Sequence, residues 1–401
     1  MMQIPFSPPD ITEIEIEEVA AALRSGWITT GPRTKELERQ VAERCGTERA
    51  VCLNSQTACA EMALRLMEIG PGDEVILPAY TYTATASVVQ HVGATIVMVD
   101  CQKDSLVMDY DCVEKAVTSR TKAIIPVDLA GIPCDYARLY EIVEAKRSLF
   151  RPNSDLQAAL GRVAIMADTA HSIGATRNGK PTGSLADFSS FSFHAVKNLT
   201  TAEGGALTWK TIPGVDNETI YKQLQLFSLH GQSKDAFAKN QLGAWEYDVI
   251  GPWYKCNMTD VAAALGLSQL KRYDAMLARR QEIIGRFDAA LKPLGVQVLT
   301  HYTDRHRSSG HLYMSRIPGI TPQQRNEIIV KMAERGIACN VHFKPLPMHT
   351  AYKNLGFAIE DYPHAYAHFA NEITLPLHTC LTDEQVAYVI ENYTEILKEY
   401  L

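Results

Sequence analysis

The sequence predicts an α/β protein with a mostly parallel central sheet, helices on both faces, and a smaller C-terminal α/β domain. Short apolar segments, each long enough for a buried strand, alternate with segments whose apolar residues recur at helical spacing. Turn residues separate the two kinds of segment, so a helix follows almost every strand. This alternation is typical of doubly wound sheets.

The length and composition suit a globular protein of two domains. The chain has 401 residues, of which 46% are hydrophobic and 21% are charged. We expect a large domain over residues 1–264 and a small C-terminal domain over residues 265–401. A net charge of -7 and the lack of a run rich in lysine and arginine argue against a nucleic-acid partner.

Neither a membrane nor a metal is expected to take part. The N-terminus lacks the pattern of a signal peptide, and no apolar run approaches the roughly 18 residues that a spanning helix needs. The nine cysteines are scattered without a Cys-x-x-Cys pair, which favours reduced thiols over disulfides or zinc ligands. We therefore expect a cytoplasmic protein.

The elements are predicted from apolar spacing and from turn residues. Residues 174–183 predict a hairpin, because Asn178-Gly179 is a strong turn signal. The other elements predicted up to residue 287 are helices at 10–25 and 34–45, a strand at 49–53, a helix at 60–69, a strand at 74–78, a helix near residue 86, a strand at 94–100, a helix at 111–118, a strand at 121–127, a helix at 136–146, strands at 163–167 and 206–209, and helices at 221–229 and 261–287.

Two stretches lack a regular pattern. Residues 147–160 are polar and predict an irregular surface excursion, whereas residues 232–254 are rich in Gly, Asn and aromatics and predict a long flexible loop. The second domain is predicted to hold strands at 297–301 and 312–316 and helices at 321–335 and 383–400.

One lysine has an unusual setting for chemistry. Lys197 follows an apolar run, is surrounded by small and hydroxyl residues, and precedes the Gly204-Gly205 turn. Burial would disfavour its ammonium form, and a neutral amine can bond to a carbonyl cofactor. For a lysine taken alone, a loop position that points to water is the commoner outcome.

Three other stretches offer binding groups, each with an ordinary structural alternative. Residues 54–58 join a strand to a helix, where free N–H groups favour a phosphate, although Ser and Thr also cap helices routinely. Tyr82 follows a strand and could stack on a flat ring or pack in the core. Asp168 and His171 lie at a strand end, where they could contact a ring nitrogen and a ring substituent, or serve as a helix cap and a core histidine.

Together, these features would supply the contacts that pyridoxal phosphate needs, because the acid keeps the pyridine nitrogen protonated and the lysine bonds to the carbonyl carbon. The chain also resembles the sugar-nucleotide aminotransferases of the DegT/DnrJ/StrS group, which are fold-type-I pyridoxal phosphate enzymes. The resemblance covers nearly the whole chain. It rests on the segments Gly-Trp-Ile-Thr-Thr-Gly-Pro at 26–32, Asn-Ser-Gln-Thr-Ala at 54–58, Gly-Asp-Glu-Val-Ile at 72–76, Asp-Thr-Ala-His at 168–171, Ser-Phe-His-Ala-Val-Lys-Asn at 192–198, Glu-Gly-Gly at 203–205 and Tyr-Lys-Cys-Asn-Met-Thr-Asp at 254–260.

The resemblance implies a role for each matching residue. Lys197 matches the lysine that bonds to the cofactor and shuttles the proton, Asp168 the partner of the pyridine nitrogen, and His171 the group near the ring hydroxyl. Tyr82 falls at the position of a stacking aromatic residue. The phosphate contacts match Gln56, Thr57 and Ser192, although many members have Gly or Ala where this chain has Gln56.

The resemblance also implies a homodimer with shared active sites. Asn257 matches a residue that reaches the phosphate of the cofactor in the neighbouring subunit. His342 falls in a substrate-side His-Phe/Tyr motif, and Thr29 and Thr30 fall in a loop near the substrate.

The segments at 192–198 and 254–260 look most like those of members that make 4-amino sugars. The resemblance therefore implies amine transfer from glutamate, with release of 2-oxoglutarate, to a nucleotide-linked 4-keto sugar. Two alternatives stay open: the same reaction at the sugar 3-position, and a regulator that binds the cofactor or the sugar nucleotide without turning it over.

Overall fold

The computed structural model describes residues 2–234 and 246–401. Its strands are β1 (Ala50–Leu53), β2 (Glu74–Pro78), β3 (Thr95–Val99), β4 (Thr121–Ile124), β5 (Ala164–Asp168), β6 (Thr176–Arg177), β7 (Lys180–Pro181), β8 (Phe188–Ser192), β9 (Gly205–Trp209), β10 (Gln297–Val298), β11 (His306–Arg307), β12 (Tyr313–Arg316) and β13 (Glu372–Leu375). Its α-helices are α1 (Glu13–Arg24), α2 (Pro32–Cys45), α3 (Gln56–Leu66), α4 (Thr83–His91), α5 (Tyr110–Ala116), α6 (Tyr136–Ala145), α7 (Asp155–Leu160), α8 (Asn217–Ser228), α9 (Asp260–Leu291), α10 (Pro322–Glu334), α11 (Thr350–Asn354), α12 (Pro363–Ala370) and α13 (Asp383–Leu397).

The central sheet has seven strands in the order β1-β9-β8-β5-β4-β2-β3. The pairs from β8 to β3 are all parallel, whereas β9 is antiparallel to both of its neighbours. The short loop between β8 and β9 contains no crossover helix, so β9 must return beside β8 in the opposite direction. The predicted mostly parallel sheet is confirmed, and this return loop is the one that contains Lys197.

Helices cover both faces of this sheet. Along β2, Val75 and Leu77 belong to an apolar cluster that includes residues of α3 and α4, while Ile76 belongs to a cluster that includes residues of α6. Successive residues of a strand point to opposite faces, so a strand buried on both faces needs an unbroken apolar run. This requirement explains why the strands were recognisable in the sequence.

The C-terminal part has its own three-stranded antiparallel sheet, in the order β10-β12-β13. Its apolar cluster includes Phe287 and Ile328 and also takes in Ile4, which pairs with Ile337. The predicted domain boundary at residues 264 and 265 lies inside α9, and the division into two domains stays a prediction. Neither β13 nor α12 was predicted from the sequence.

The excursion at 147–160 is more ordered than predicted. It contains a 3-10 turn, Arg147–Leu149, and α7. The amide of Asn153 donates to Oδ1 of Asp73 at 2.8 Å, and Nε2 of Gln157 donates to the carbonyl of Met67 at 2.7 Å. These long-range bonds fasten the segment to the loop between α3 and β2, although its composition is that of a loop.

The predicted loop at 232–254 can be described only in part, because residues 235–245 lie outside the described residues. Gln232 precedes these residues and Val249 follows them, and the two form an antiparallel β-bridge. Among the helices of the described ranges, none combines the length and the apolar composition needed to cross a membrane.

Candidate active site

A cavity of about 430 Å³ lies at the carboxyl ends of the parallel strands. This edge is where sheets of this class place ligands, because the strand ends and the helix starts converge there. The cavity is lined by eight of the residues predicted from the sequence, namely Gln56, Thr57, Tyr82, Asp168, His171, Ser192, Lys197 and His342. The structure thus brings together segments that are far apart in the chain.

Lys197 lies in the return loop between β8 and β9, where its N–H donates to the carbonyl of His194 at 2.9 Å. The side chain is half-buried and reaches the cavity. Burial lowers the pKa of Lys197 from 10.5 to about 8, although the carboxylate of Asp168 opposes this shift. A sizeable fraction of the amine is therefore neutral, and nucleophilic, near neutral pH.

Asp168 ends β5 and is 5% exposed. Its Oδ2 accepts a hydrogen bond from Oγ1 of Thr85 at 2.7 Å, and its Oδ1 accepts one from the N–H of Ala170 at 3.2 Å. Burial raises the pKa of Asp168, and these hydrogen bonds partly offset the rise. Burial makes a charged carboxylate costly, and Lys197 offsets only part of that cost, so a protonated ring nitrogen would suit this position.

His171 presents a defined nitrogen to the cavity. Its Nδ1 accepts a hydrogen bond from the N–H of Ala130 at 3.2 Å, so the neutral ring carries its proton on Nε2. Burial lowers the pKa of His171 well below its usual value, and the nearby Lys197 and His342 lower it further. The ring is therefore a neutral hydrogen-bond donor.

The start of α3 forms an anion cradle. The first N–H groups of a helix have no partner inside the helix and carry partial positive charge. Oγ of Ser55 accepts from the N–H of Ala58 at 3.1 Å, so Ser55 is the ordinary N-cap. This cap does not use the N–H groups of Gln56 and Thr57, two residues that line the cavity. A Cβ on Gly205 would lie 2.5 Å from the nitrogen of Gln56, so the close approach of β9 requires glycine there.

The side chain of Gln56 already has a structural partner. Its Nε2 donates to Oγ of Ser190 at 3.0 Å, and the residue is 6% exposed. A phosphate contact by Gln56 would therefore use its backbone N–H. Thr57 and Ser192, which both have hydroxyl side chains, also line the cavity.

Tyr82 is 60% exposed and lines the cavity, so the alternative of core packing is wrong for this residue. Its ring centroid lies 5.9 Å from that of Phe343. The buried tyrosine of this turn is Tyr80, which is 1% exposed and donates to the carbonyl of His342 at 2.7 Å.

Three predicted site residues lie elsewhere and do not line this cavity. Nδ2 of Asn257 donates to Oγ1 of Thr30 at 2.5 Å, and that hydroxyl donates to the carbonyl of Met258 at 2.5 Å. The carbonyl of Thr29 accepts from the N–H of Asp260 at 3.1 Å. The roles predicted for Asn257, Thr29 and Thr30 stay predictions that need a second subunit.

Sequence reasoning missed several residues that line the cavity, among them Phe6 and His311. The ring of His311 lies 4.2 Å from that of His171, and its Nδ1 donates to Oδ1 of Asn198 at 2.9 Å. The ring of Phe6 stacks on that of His342 at 5.5 Å. No local sequence pattern marks Phe6 or His311 as a site residue. The only signal in the sequence was the polar side chain of Asn198, next to Lys197, which bonds to His311 in the structure.

The cavity fits pyridoxal phosphate. The cradle at α3 suits the phosphate, Asp168 the pyridine nitrogen, His171 the ring hydroxyl, Tyr82 a ring face, and Lys197 the carbonyl carbon. Each of these groups has a partner of suitable chemistry on the cofactor. The roles of the individual residues rest on this fit.

Comparison with known proteins gives the same class. Residues 9–394 match the DegT/DnrJ/EryC1/StrS aminotransferase family. The chain is 37% identical over 402 residues to the spore coat polysaccharide biosynthesis protein SpsC of Bacillus subtilis (strain 168), covering 98% of this chain and 97% of that protein.

Solved structures agree with this match. The putative sugar aminotransferase Spr1654 of Streptococcus pneumoniae is similar in its PMP form, with 58% identity and a TM-score of 0.97, and in its PLP form, with 56% identity and a TM-score of 0.96; each match covers 100% of both chains. PseC of Helicobacter pylori, an aminotransferase involved in the biosynthesis of pseudoaminic acid, matches with 26% identity and a TM-score of 0.86, covering 99% of this chain and 100% of that one.

These matches confirm the family, the fold, the enzyme class and the cofactor expected from the sequence. The chain therefore belongs to the DegT/DnrJ/EryC1/StrS aminotransferase family and is an aminotransferase that uses pyridoxal phosphate.

Proposed function

We propose that this enzyme transfers an amine from glutamate to a nucleotide-linked 4-keto sugar and releases the 4-amino sugar. The observation that carries the proposal is the cavity in which Lys197, with its pKa lowered to about 8, lies among Asp168, His171 and the α3 cradle. The name of SpsC supports a substrate of polysaccharide biosynthesis, and the description of Spr1654 as a sugar aminotransferase supports a sugar as the class of substrate.

The residues divide the work of transamination. Bound pyridoxal phosphate would supply an electrophilic carbon and an electron-withdrawing ring. Asp168 would hold the ring nitrogen protonated, and the N–H groups of α3 would hold the phosphate. Nζ of Lys197 would move a proton between the C4′ carbon of the cofactor and the carbon of the substrate that carries the amine. This proton transfer requires a pKa of Lys197 near the working pH. His171 would orient the ring through Nε2.

We also propose a homodimer with shared sites. Asn257 and Thr30 are joined by a hydrogen bond but lie outside the cavity of their own chain. Exposed apolar side chains occur close to them in the sequence, including Ile28 at 53% and Ile250 at 57%. Large exposed apolar groups near a polar cluster favour a protein interface.

The test is a transamination assay with the purified enzyme, pyridoxal phosphate and glutamate. UDP-linked 4-keto and 3-keto sugars are supplied separately, and the amino sugar is identified by mass spectrometry. We expect a 4-amino product. A 3-amino product would favour the related 3-position reaction, and an amine from another donor would exclude glutamate.

Two lysine variants test the catalytic claim. Lys197→Ala should abolish transfer, whereas Lys103→Ala changes an exposed lysine and should leave it unchanged. Transfer that survives in Lys197→Ala would exclude Lys197 from catalysis. Tight binding of cofactor and sugar without transfer in the unaltered chain would favour the non-catalytic regulator.

A further inference from the structure

A buried hydrogen-bond chain leads from β13 to the wall of the catalytic cavity. Nδ1 of His342 lies 3.0 Å from Oγ1 of Thr374, and that hydroxyl lies 2.5 Å from Oε1 of Glu372. Oε2 of Glu372 accepts from the backbone N–H of His342 at 2.9 Å. Glu372 and Thr374 are both 0% exposed, so water does not compete for these bonds.

The position of His342 is fixed from three sides, which leaves its other ring nitrogen to the cavity. Phe6 stacks on the ring, and the hydroxyl of Tyr80 donates to the carbonyl of His342. Nε2 has no hydrogen-bond partner within residues 2–234 and 246–401, and His342 lines the cavity. Burial and the nearby Lys197 lower the pKa of His342 to about 4, so the ring is neutral near neutral pH.

We propose that Glu372, acting through Thr374, is a positioning residue that decides which nitrogen of His342 carries the ring proton. The hydroxyl of Thr374 has a single proton and can donate in only one direction. A carboxylate can only accept, so an ionised Glu372 turns Thr374 toward itself. Thr374 then accepts from Nδ1–H of His342, and Nε2 offers a lone pair to the cavity.

A protonated Glu372 reverses the chain. Its carboxyl O–H donates to Thr374, Thr374 donates to Nδ1 of His342, and the neutral ring carries its proton on Nε2. The only net change is one proton gained by the carboxyl group. His342 therefore donates to a ligand through Nε2 in one state and accepts from it in the other. The protonation state of Glu372 controls this change through the hydroxyl of Thr374.

The surroundings of Glu372 place this reversal near pH 8. Burial raises the pKa of Glu372 to about 8, although its hydrogen bonds and two arginines oppose the rise. Below about pH 8 Glu372 holds its proton and Nε2 of His342 is a donor; above it Nε2 is an acceptor. The titratable groups that face Glu372 are Tyr80, Arg316, Arg325, Cys339 and Tyr393, and Lys197 faces His342.

We infer that the ligand of Nε2 is the keto sugar, and this inference rests on the proposed function. The hydrogen-bond chain itself does not depend on the proposed function. A donor at Nε2 would suit a carbonyl or hydroxyl oxygen, and an acceptor would suit only a hydroxyl group. The state of Glu372 would therefore alter the affinity for the sugar more than the reaction with the amino donor.

The experiment measures the tautomer of His342 directly, by nitrogen-15 NMR of histidine-labelled holoenzyme between about pH 6 and about pH 10, a range that brackets the titration. The signal of His342 is assigned from its loss in His342→Gln. In the unaltered enzyme we expect the proton to move from Nε2 to Nδ1 with a midpoint near pH 8. A single tautomer across this range would overturn the proposal.

Variants of similar size distinguish a role of the hydrogen-bond chain from a role of these side chains in packing alone. Glu372→Gln keeps an amide donor toward Thr374 and should hold the proton on Nε2 at every pH. Thr374→Val should remove the pH dependence, and Thr374→Ser should restore it. Retention of the midpoint in Thr374→Val would overturn the proposal.

Kinetics give a second readout. We expect Thr374→Val to raise KM for the keto sugar about tenfold with little change in kcat, and to leave the conversion of bound cofactor by glutamate unaffected. If the tautomer responds as expected but no keto sugar is aminated, the proposed function fails and the positioning role stands. If amination occurs and the tautomer never responds, the positioning role fails.

Discussion

A single methyl group at Gly205 would test the anion cradle. A Cβ there would lie 2.5 Å from the nitrogen of Gln56, 2.5 Å from the carbonyl carbon of Ser55 and 2.6 Å from the carbonyl oxygen of Phe191. All three atoms belong to the backbone and cannot rotate away. In Gly205→Ala, the start of α3 must therefore move away from β9 by at least about half an ångström, since Cβ contacts under 3.0 Å essentially never occur.

The cost of this overpacking can be set from comparable insertions. Extra carbon atoms in a close-packed region destabilise proteins by about 1–3 kcal/mol. The same displacement moves the N–H groups of Gln56 and Thr57, so we also expect the affinity for pyridoxal phosphate to fall about tenfold or more. Gly205 does not have left-handed backbone geometry, so the expected losses of stability and of cofactor affinity come from steric overlap and not from backbone strain.

Gly285 provides the matched control. It lies within α9, and a Cβ there would meet no atom within 4 Å. Gly285→Ala should therefore stabilise the protein by about 0.5–1 kcal/mol, the usual gain for a helix interior. Urea unfolding of both apoproteins and titration with the cofactor measure the two effects. A Gly205→Ala protein with the stability and cofactor affinity of the unaltered enzyme would refute the cradle.

Four further outcomes are expected. Asp168→Asn should lower kcat about 10²–10³-fold, because an amide cannot hold a ring nitrogen protonated; unchanged kcat would exclude that role. In the apoenzyme, labelling of Lys197 by an amine-directed reagent should rise through about pH 8, below the 10.5 of an ordinary lysine; a rise only near 10.5 would contradict the lowered pKa. Because the folded pKa of Lys197 is below the unfolded value, the stability of the unaltered apoenzyme relative to Lys197→Met should rise as pH rises from about 8 to 10.5, as urea unfolding of both proteins would measure; a difference that does not rise would contradict the burial argument. Gln157→Ala should cost about 1–3 kcal/mol in urea unfolding with little change in kcat, because it breaks a buried bond between two residues that do not line the cavity; a catalytic defect without a loss of stability would contradict this role.

The sheet could be predicted because its signals are local. A strand buried on both faces must be apolar throughout, and Val75, Ile76 and Leu77 show this requirement directly. The reversed direction of β9 was not predicted, because it depends on the return loop and not on composition. The excursion at 147–160 was misjudged because polar Asn153 and Gln157 find buried partners that the sequence does not reveal.

The candidate site could be predicted where its residues follow strands. Asp168 ends a strand, Lys197 follows one, and Gln56 begins a helix, so each position was recognisable. His311 and Phe6 reach the cavity only through folding of distant segments. Glu372 was missed for a further reason, because a glutamate with 0% exposure contradicts the usual distribution of charged residues.

The attachment of the cofactor tests the central claim most directly. The holoenzyme is treated with borohydride, which makes the bond between cofactor and lysine permanent, and is then digested and analysed by mass spectrometry. The account predicts one modified peptide, with the added mass on Lys197, and none after prior incubation with glutamate. Attachment at another lysine, or no attachment, would contradict the assignment of this cavity as the active site.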